Sequence, residues 1–350
     1  MKVIFFCSIS NMGPIEKDLE LVRFNLSSDR SKIDEVLKNE GIQKSIGRVE
    51  RSQFESLPFF YGEMDLNTKL DNEISEQEIK TVQDNITIYY GVLERYISFL
   101  WFSKDNCCSL NSLYAYLPAV KKMLIRRPTP LTSTSKGESD VETTFTTDAL
   151  MSVGSLLTKS SEFFYHKNYK QKTLKDPPQE DLQVREILPY DFKKQTRIER
   201  AFHFLDLARR SNQLVLKISF YVCVYETLFY GTTTGEISHQ IAERAALFFS
   251  NTRIFRHSVY KQLKQAYAVR STYFHGNSFK GYKKDLTEIS FYLDNLTRDI
   301  LYRVFSKDSK IFLQSDTLLE LSFLDMLFED ERRPDGITFE SGVGHIRFRG

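Results

Sequence analysis

The sequence predicts an α+β protein, in which a mixed N-terminal domain with a small sheet and helices precedes a C-terminal all-α helical bundle. Two observations predict this class. Before residue 65, short segments rich in β-branched and aromatic residues alternate with polar turns. From residue 75 onward, apolar residues recur mostly at intervals of three and four, as on one side of a helix. No internal repeat of fixed period is present, which argues against a solenoid.

The composition is typical of a reduced, cytoplasmic globular protein with room for two domains. The chain has 350 residues, of which 41% are hydrophobic. Its 48 basic residues nearly balance 46 acidic ones, so any contact with RNA has to be local. Cys107 and Cys108 are adjacent, a spacing unsuited to a simple disulfide framework. We interpret the apolar segment 3–9 as a strand rather than an export signal, and no apolar stretch approaches the roughly 20 residues that span a bilayer.

The N-terminal domain is expected to contain three strand-like segments and several helices. The strand-like segments are 2–9, 19–26 and 48–64. Helices are predicted at 32–39, 75–100, 113–124 and 149–165. Gly41 is expected to stop the first of these, Ser75 and Glu78 form a capping box at the start of the second, and Pro118 breaks or kinks the third. The segment 127–147, rich in Pro, Thr and Ser, is predicted to be an exposed loop.

A polar segment at 167–190 marks the predicted domain border, because Pro177, Pro178 and Pro189 prevent a helix from persisting there. The predicted organisation is an N-terminal domain at 1–175, a bundle at 190–310, and a C-terminal helix and tail at 311–350. Bundle helices are predicted at 198–208, 214–230, 237–248, 259–274 and 286–304, with a further helix at 318–328. Gly231 is expected to end the second bundle helix, which is apolar on nearly all sides.

One charged residue interrupts the apolar stripe of the fourth bundle helix. The stripe runs through Leu263 and Ala266 and then meets Arg270, and a guanidinium beside a core is costly unless it is paired. Glu226, a carboxylate in the otherwise apolar second helix, is the predicted partner. His275 follows Arg270 by five residues, and Gly276 can end the helix there, so that the two side chains converge at a helix terminus.

The segment 270–275, Arg-Ser-Thr-Tyr-Phe-His, resembles the motif of HEPN ribonucleases, in which an Arg and a His are separated by four to six residues. The sequence around this segment is similar to that of the Apea-like HEPN group of bacterial proteins. The similar segments are Leu-Lys-Ile at 216–218, Tyr-Glu-Thr-Leu-Phe at 225–229 and Ile-Ala-Glu-Arg at 241–244. The resemblance covers 198–305, about the C-terminal third of the chain.

The resemblance implies metal-independent cleavage of RNA by a homodimer whose two motif segments face each other, in antiviral defence or toxin-like growth arrest. His275 would exchange a proton with the ribose 2′-hydroxyl or the leaving 5′-oxygen. Arg270 would bind the phosphate, and Glu226 would orient Arg270. Ser271 stands where many members of the group have Asn, Asp or His, and its hydroxyl can still donate a hydrogen bond in a supporting role.

Further expectations concern binding partners. RNA contacts are predicted at Lys280, Tyr282, Lys283 and Lys284. No cofactor or metal is expected, because His203, His239 and His257 fall on different helices without suitable Cys or carboxylate spacing. The N-terminal domain is expected to respond to a trigger ligand or protein. Two other functions remain open: a catalytically inactive HEPN module that binds RNA or a protein and dimerises, and a structural protein that senses a small molecule.

Overall fold

The computed structural model describes residues 2–21, 24–65, 75–128, 131–164, 195–231, 236–276 and 283–328. Within them the predicted α+β class is confirmed: an antiparallel sheet lies in the N-terminal part, and the C-terminal part is helical. The chain forms two compact units. The first comprises Met1–Thr132 and Asp140–Thr158, and the second comprises Ser133–Ser139 and Lys159–Gly350. The predicted border at 167–190 lies outside the described residues.

An antiparallel sheet forms the centre of the first unit. Its strands are β1 (Lys2–Ser10), β2 (Leu19–Leu21), β3 (Phe24–Ser27), β4 (Phe59–Asp65), β5 (Ser109–Leu110), β6 (Leu113–Leu117) and β7 (Lys122–Arg126). The strand order is β2-β3-β4-β1-β6-β7, and β5 pairs with the end of β1. In the centre, Phe6 of β1 is opposite Tyr61 of β4 and Tyr114 of β6. Most of β1 is buried, because helices cover both faces of the sheet.

Adjacent residues of β1 anchor those two helical layers, since successive side chains of a strand point to opposite faces. The helices of this unit are α1 (Ser31–Lys38), α2 (Glu40–Ser45), α3 (Arg48–Ser56) and α4 (Glu76–Phe99). Phe6 packs edge-on against Phe54 of α3, with ring centroids 5.4 Å apart. Phe5 packs against Tyr89 of α4 at 5.0 Å. The first layer encloses an apolar core to which α1 and α2 contribute Ile33, Leu37, Ile42 and Ile46.

Three sequence predictions for this unit are corrected. The helix predicted at 113–124 is wrong: β6 and β7 form a hairpin through a 3₁₀ turn at Pro118–Val120, followed by left-handed Lys121 (φ 53°). All five residues of β6 are buried, and periodicity alone does not separate a short strand buried on both faces from a buried helix.

The other two corrections concern 48–64 and Gly41. Of the segment predicted as strand, Arg48–Ser56 is helix α3 and only Phe59–Asp65 is strand. Gly41 does not stop α1, because it lies inside α2, where the Asn39 side chain accepts its N–H at 2.9 Å. The predicted capping box at the start of α4 is confirmed, because Ser75 and Glu78 bond each other's backbone N–H groups.

The second unit is helical. Helix α5 (Thr147–Phe164) leads into it, and its remaining helices are α6 (Arg197–Arg210), α7 (Leu214–Phe229), α8 (Ile237–Phe249), α9 (Arg253–Phe274), α10 (Lys283–Arg303), α11 (Ser309–Phe312) and α12 (Asp316–Phe328). The predicted bundle helices are confirmed, and α7 packs against α6, α8, α9 and α10. Gly231 is not a left-handed cap. It leaves room instead for Arg244 and Glu320, whose side chains a Cβ at this position would meet at 2.8 and 2.5 Å.

The segment Ser133–Ser139, here called the strap, belongs to the helical unit although it lies between two parts of the first unit in sequence. Its Ser133 N–H donates to the carbonyl of Arg209 at 2.7 Å, at the end of α6. Ser290 of α10 donates to the carbonyl of Ser135 at 2.6 Å. The strap therefore joins the end of α6 to α10 through backbone groups.

Lys217 of α7 completes this junction. Its side chain is fully buried, and its ammonium group donates to the carbonyl of Ala208 at 2.8 Å and to that of Ser133 at 3.5 Å. The last carbonyls of a helix have no partner within it and carry partial negative charge, so a cation is favourable at this point. Lys217 thus connects α6, α7 and the strap.

No helix among the described residues is long and apolar enough to cross a membrane.

We expect Lys217→Met, which retains the length of the side chain, to lower the free energy of unfolding by about 1–3 kcal/mol, because buried carbonyls lose their donor. Urea unfolding followed by circular dichroism measures the change. Lys261→Met is the matched control, since Lys261 is an exposed lysine of α9. Equal unfolding midpoints for the two variants would contradict a stabilising role for Lys217.

Candidate active site

The predicted ion pair between the fourth and second bundle helices is present. Arg270 of α9 donates through Nη1 to Oε1 of Glu226 on α7, at 2.7 Å. The side chains retain 35% and 25% of their exposure, so the pair lies at the edge of the core rather than inside it. A pair in this position is less screened than one at the surface and remains accessible to a ligand.

The buried stripe of α9 determines where Arg270 lies. Val259, Leu263, Ala266 and Tyr267 are buried, and α9 packs against α7. Arg270 follows Ala266 and Tyr267 by four and three residues, which keeps it on the same side of the helix. The helical spacing therefore places the guanidinium at the end of the α7–α9 interface.

Two residues that sequence reasoning missed extend the pair into a four-residue group, here called the Arg270 cluster: Arg270, Glu226, Tyr267 and Cys223. The Tyr267 hydroxyl is buried beside the Glu226 carboxylate, although it lacks the geometry of a full hydrogen bond. The Cys223 thiol interacts with both charged groups. Tyr267 lies three residues before Arg270, and Cys223 lies three residues before Glu226. This spacing places each on the same side of its helix as the charged residue, and it was the sequence pattern that could have identified them.

Burial is the main electrostatic influence on the Arg270 cluster. It raises the pKa of Glu226, while the positive charge of Arg270 acts in the opposite direction. It also raises the pKa of the Tyr267 phenol, and the Glu226 carboxylate adds to that shift. The pKa of the Cys223 thiol is raised by burial and then by Glu226. Tyr267 and Cys223 are therefore neutral at pH 7.

Arg270 keeps hydrogen-bonding capacity beyond its bond to Glu226. Its Nε is buried and has no hydrogen-bond partner in the described part of the chain. Its guanidinium carbon lies 5.9 Å from the centroid of the Phe274 ring, which is 61% exposed. A partly exposed guanidinium beside an exposed aromatic ring can donate hydrogen bonds to an anionic group and stack against a planar one.

The end of α9 has the form that the sequence predicts. The helix ends at Phe274, the His275 N–H donates to the carbonyl of Ser271 at 3.1 Å, and Gly276 takes a left-handed conformation with φ +70°. Ser271 and His275 are both exposed. Residues five apart on a helix differ by about 140° around its axis, and no hydrogen bond joins Arg270 to His275 within the described structure. The predicted convergence of Arg270 and His275 is therefore not accompanied by a hydrogen bond between them in the described structure, and it stays a prediction.

The predicted RNA-contact residues are described only in part. Lys280 and Tyr282 lie outside the described residues. Lys283 is the first residue of α10. Lys284 is exposed, and its ammonium lies 3.9 Å from the carboxylate of Glu288, one helical turn further on. An exposed pair at that distance contributes little to stability and leaves Lys284 accessible.

The described residues contain no group of three or more His, Cys, Asp or Glu side chains that could bind a metal ion. His239, one of the three helical histidines, instead makes a 2.7 Å hydrogen bond to the Tyr260 hydroxyl.

Comparisons with models of protein families, with curated proteins and with solved structures found no match to this chain.

A second partly buried carboxylate of the bundle, Asp299, has a raised pKa. Burial raises the pKa of Asp299 on α10 to about 6, although Arg298 acts in the opposite direction. Between its unfolded value of 3.8 and this folded value, the folded protein binds the proton more tightly than the unfolded chain. The free energy of unfolding therefore falls as pH rises through this interval, by roughly 2–3 kcal/mol in total.

We expect Asp299→Asn to unfold at a higher urea concentration than the wild type at pH 7, because the amide is not charged when buried. The difference should shrink as pH falls from 6.5 to 4.5, since the wild-type carboxyl then becomes protonated. Urea midpoints at four pH values measure this dependence. Asp325→Asn, at an exposed position of α12, is the control. A pH-independent difference between Asp299→Asn and the wild type would contradict the assignment.

Proposed function

We propose that the protein is a metal-independent endoribonuclease of the HEPN type, in which Arg270 and His275 from two copies form a composite site. The observation that supports this most directly is the Arg270–Glu226 ion pair, whose N–O distance is 2.7 Å and whose side chains are partly exposed. The pair lies near the end of the helix that leads into the exposed His275. Cleavage of RNA by attack of its own 2′-hydroxyl needs a proton acceptor, a proton donor and a cation at the phosphate. His275 of the two copies would supply the first two, and Arg270 the third.

In the proposed reaction, His275 of one copy removes the proton from the ribose 2′-hydroxyl. The 2′-oxygen attacks the adjacent phosphorus, and the bond from phosphorus to the 5′-oxygen breaks. His275 of the partner subunit, in its protonated form, donates a proton to the departing 5′-oxygen. The products are a 2′,3′-cyclic phosphate and a 5′-hydroxyl, so that the atoms and protons balance. Arg270 neutralises the negative charge that builds on the phosphoryl oxygens.

The remaining members of the Arg270 cluster act on Arg270 rather than on RNA. Glu226 accepts the Nη1 hydrogen bond and thereby restricts the rotation of the guanidinium, whose side chain stays partly exposed for contact with phosphate. Glu226 is accordingly a positioning residue. Ser271, exposed one residue after Arg270, has a supporting role in contacts to the ribose or phosphate.

The proposed site uses two copies because one chain offers a single motif histidine, whereas the reaction needs both a base and an acid. A homodimer brings two histidines and two arginines to one cleft, and the histidines divide the roles of base and acid. We further propose that the activity serves antiviral defence or toxin-like growth arrest in the cytoplasm, and that the N-terminal unit senses a trigger or restrains the nuclease.

We expect His275→Ala and Arg270→Ala each to reduce cleavage of a total RNA preparation by about 10²-fold or more, since each removes a group that acts in the transition state. Sequencing of RNA ends should find 5′-hydroxyl termini with the wild type. His257→Ala and Arg253→Ala are the matched controls, because both residues are exposed on α9.

Equal RNA decay in all five proteins, or in none of them, would refute the nuclease proposal. If the wild type and the variants bind RNA equally and cut none of it, the chain is an inactive module that binds and dimerises. Analytical ultracentrifugation of the same samples tests the expected dimer independently of cleavage.

We expect Glu226→Gln to keep more activity than Glu226→Ala, because the amide oxygen of Gln still accepts the hydrogen bond from Arg270. The expected losses in kcat/KM are about tenfold for the Gln variant and about 10²-fold for the Ala variant. Single-turnover cleavage assays measure both values. Identical losses would indicate that the charge of Glu226, rather than its bond to Arg270, matters.

A further inference from the structure

The first unit has a basic hollow on the outer side of helices α2 and α3. Its volume is about 550 Å³, and Glu40, Gln43, Lys44, Ile46, Arg48 and Arg51 line it. The hollow is open to solvent, and its lining is mostly polar. Three of the six lining residues are cationic and one is anionic, whereas basic and acidic residues nearly balance over the whole chain.

The cations of this hollow lack the partners that neutralise other cations of the same unit. Lys44 lies 3.9 Å from Glu40, and both side chains are more than 80% exposed, so this contact is weak. Arg48 and Arg51 form no ion pair with any described carboxylate. By contrast, Arg30, which directly precedes α1, pairs with Glu55 at 3.0 Å.

The carboxylate nearest in sequence to Arg48 and Arg51 interacts with a different group. Glu50 lies between Arg48 and Arg51, but it interacts with the Tyr114 hydroxyl and helps to raise the pKa of that phenol. Three cations that line one hollow with a single carboxylate repel each other and lower stability, so such a lining points to an anion that completes it.

The hollow is built on a packed layer, which limits the movement of its walls. Ile46, in its floor, is 2% exposed and belongs to the apolar core under the sheet face. Ile42 anchors α2 and Phe54 anchors α3 in the same core. Because the short helices are anchored from below, the backbone positions that carry the three cationic side chains are held in place.

We propose that this hollow binds a small molecule that carries a chain of two or more phosphate groups. Arginine binds phosphate oxygens through paired N–H groups, and two arginines with a lysine match the charge of a diphosphate or triphosphate better than that of a single phosphate. The limited volume favours a small molecule over a long nucleic acid. The site assigns the first unit a ligand-binding role that stands independently of the ribonuclease activity.

Thermal unfolding of the full chain tests the site without reference to cleavage. At constant ionic strength, inorganic tripolyphosphate should raise the wild-type Tm by about 2–4 °C with saturation, and orthophosphate should raise it less. ATP and GTP form a second arm: a larger shift than that of tripolyphosphate indicates that the ligand is a nucleotide, and an equal shift indicates recognition of the phosphates alone. Both results support the proposal.

The variant Arg48→Gln/Arg51→Gln should lose the shift and, without ligand, should unfold at the same or a higher temperature than the wild type, because repulsion is relieved. Lys44→Gln should weaken the shift. Lys17→Gln, an exposed lysine of the same unit outside the hollow, is the control for the lost charge and should retain the shift. The absence of a saturable shift in the wild type, an equal shift in the double variant, or a response only to an RNA oligomer without terminal phosphate would overturn the proposal.

Discussion

The nearly all-apolar character of α7 is the constraint on which the helical unit depends. Four other helices pack around it, and most of its residues are buried. Two charged residues on this helix, Lys217 and Glu226, therefore need partners from other elements. Lys217 reaches the end of α6 and the strap, and Glu226 reaches Arg270 on α9. The arrangement of the helices and the geometry of the candidate site thus follow from the same requirement.

Helices were predictable from the sequence where one face alone is buried, as in α1, α4 and α9. The capping box of α4 was equally readable, because its two residues interact across a single turn. Prediction failed at β6, where Tyr114 and Tyr116 are buried as completely as Leu113 and Leu117. A strand covered on both faces loses the alternation that identifies strands, and only its neighbours β1 and β7 determine its conformation.

The candidate site was predictable to the extent that single charges in apolar surroundings demand partners. This argument identified Arg270 and Glu226 and, through Gly276, the end of α9. It could not identify Tyr267 or Cys223, because Tyr and Cys side chains are common in apolar cores. Only the packing of α7 against α9 brings these two side chains close to the ion pair. The sequence likewise did not indicate a shared role for Arg48 and Arg51, because their segment was predicted to be a strand. They lie on the same side of the chain only because α3 is a helix, in which residues three apart are neighbours.

The strap has a consequence for any attempt to divide the molecule. The polypeptide passes from one unit to the other at three places, at residues 132–133, 139–140 and 158–159, so the two units are interleaved in sequence rather than arranged in series. Cutting the chain near residue 195 would separate the bundle from the seven residues that bind the end of α6, and would deprive the Lys217 ammonium of one of its carbonyls. A fragment that contains the bundle alone would expose backbone groups that the intact protein covers. Activity lost in such a fragment would therefore report damage to the scaffold, and point substitutions in the intact chain are the sounder way to separate regulation from chemistry.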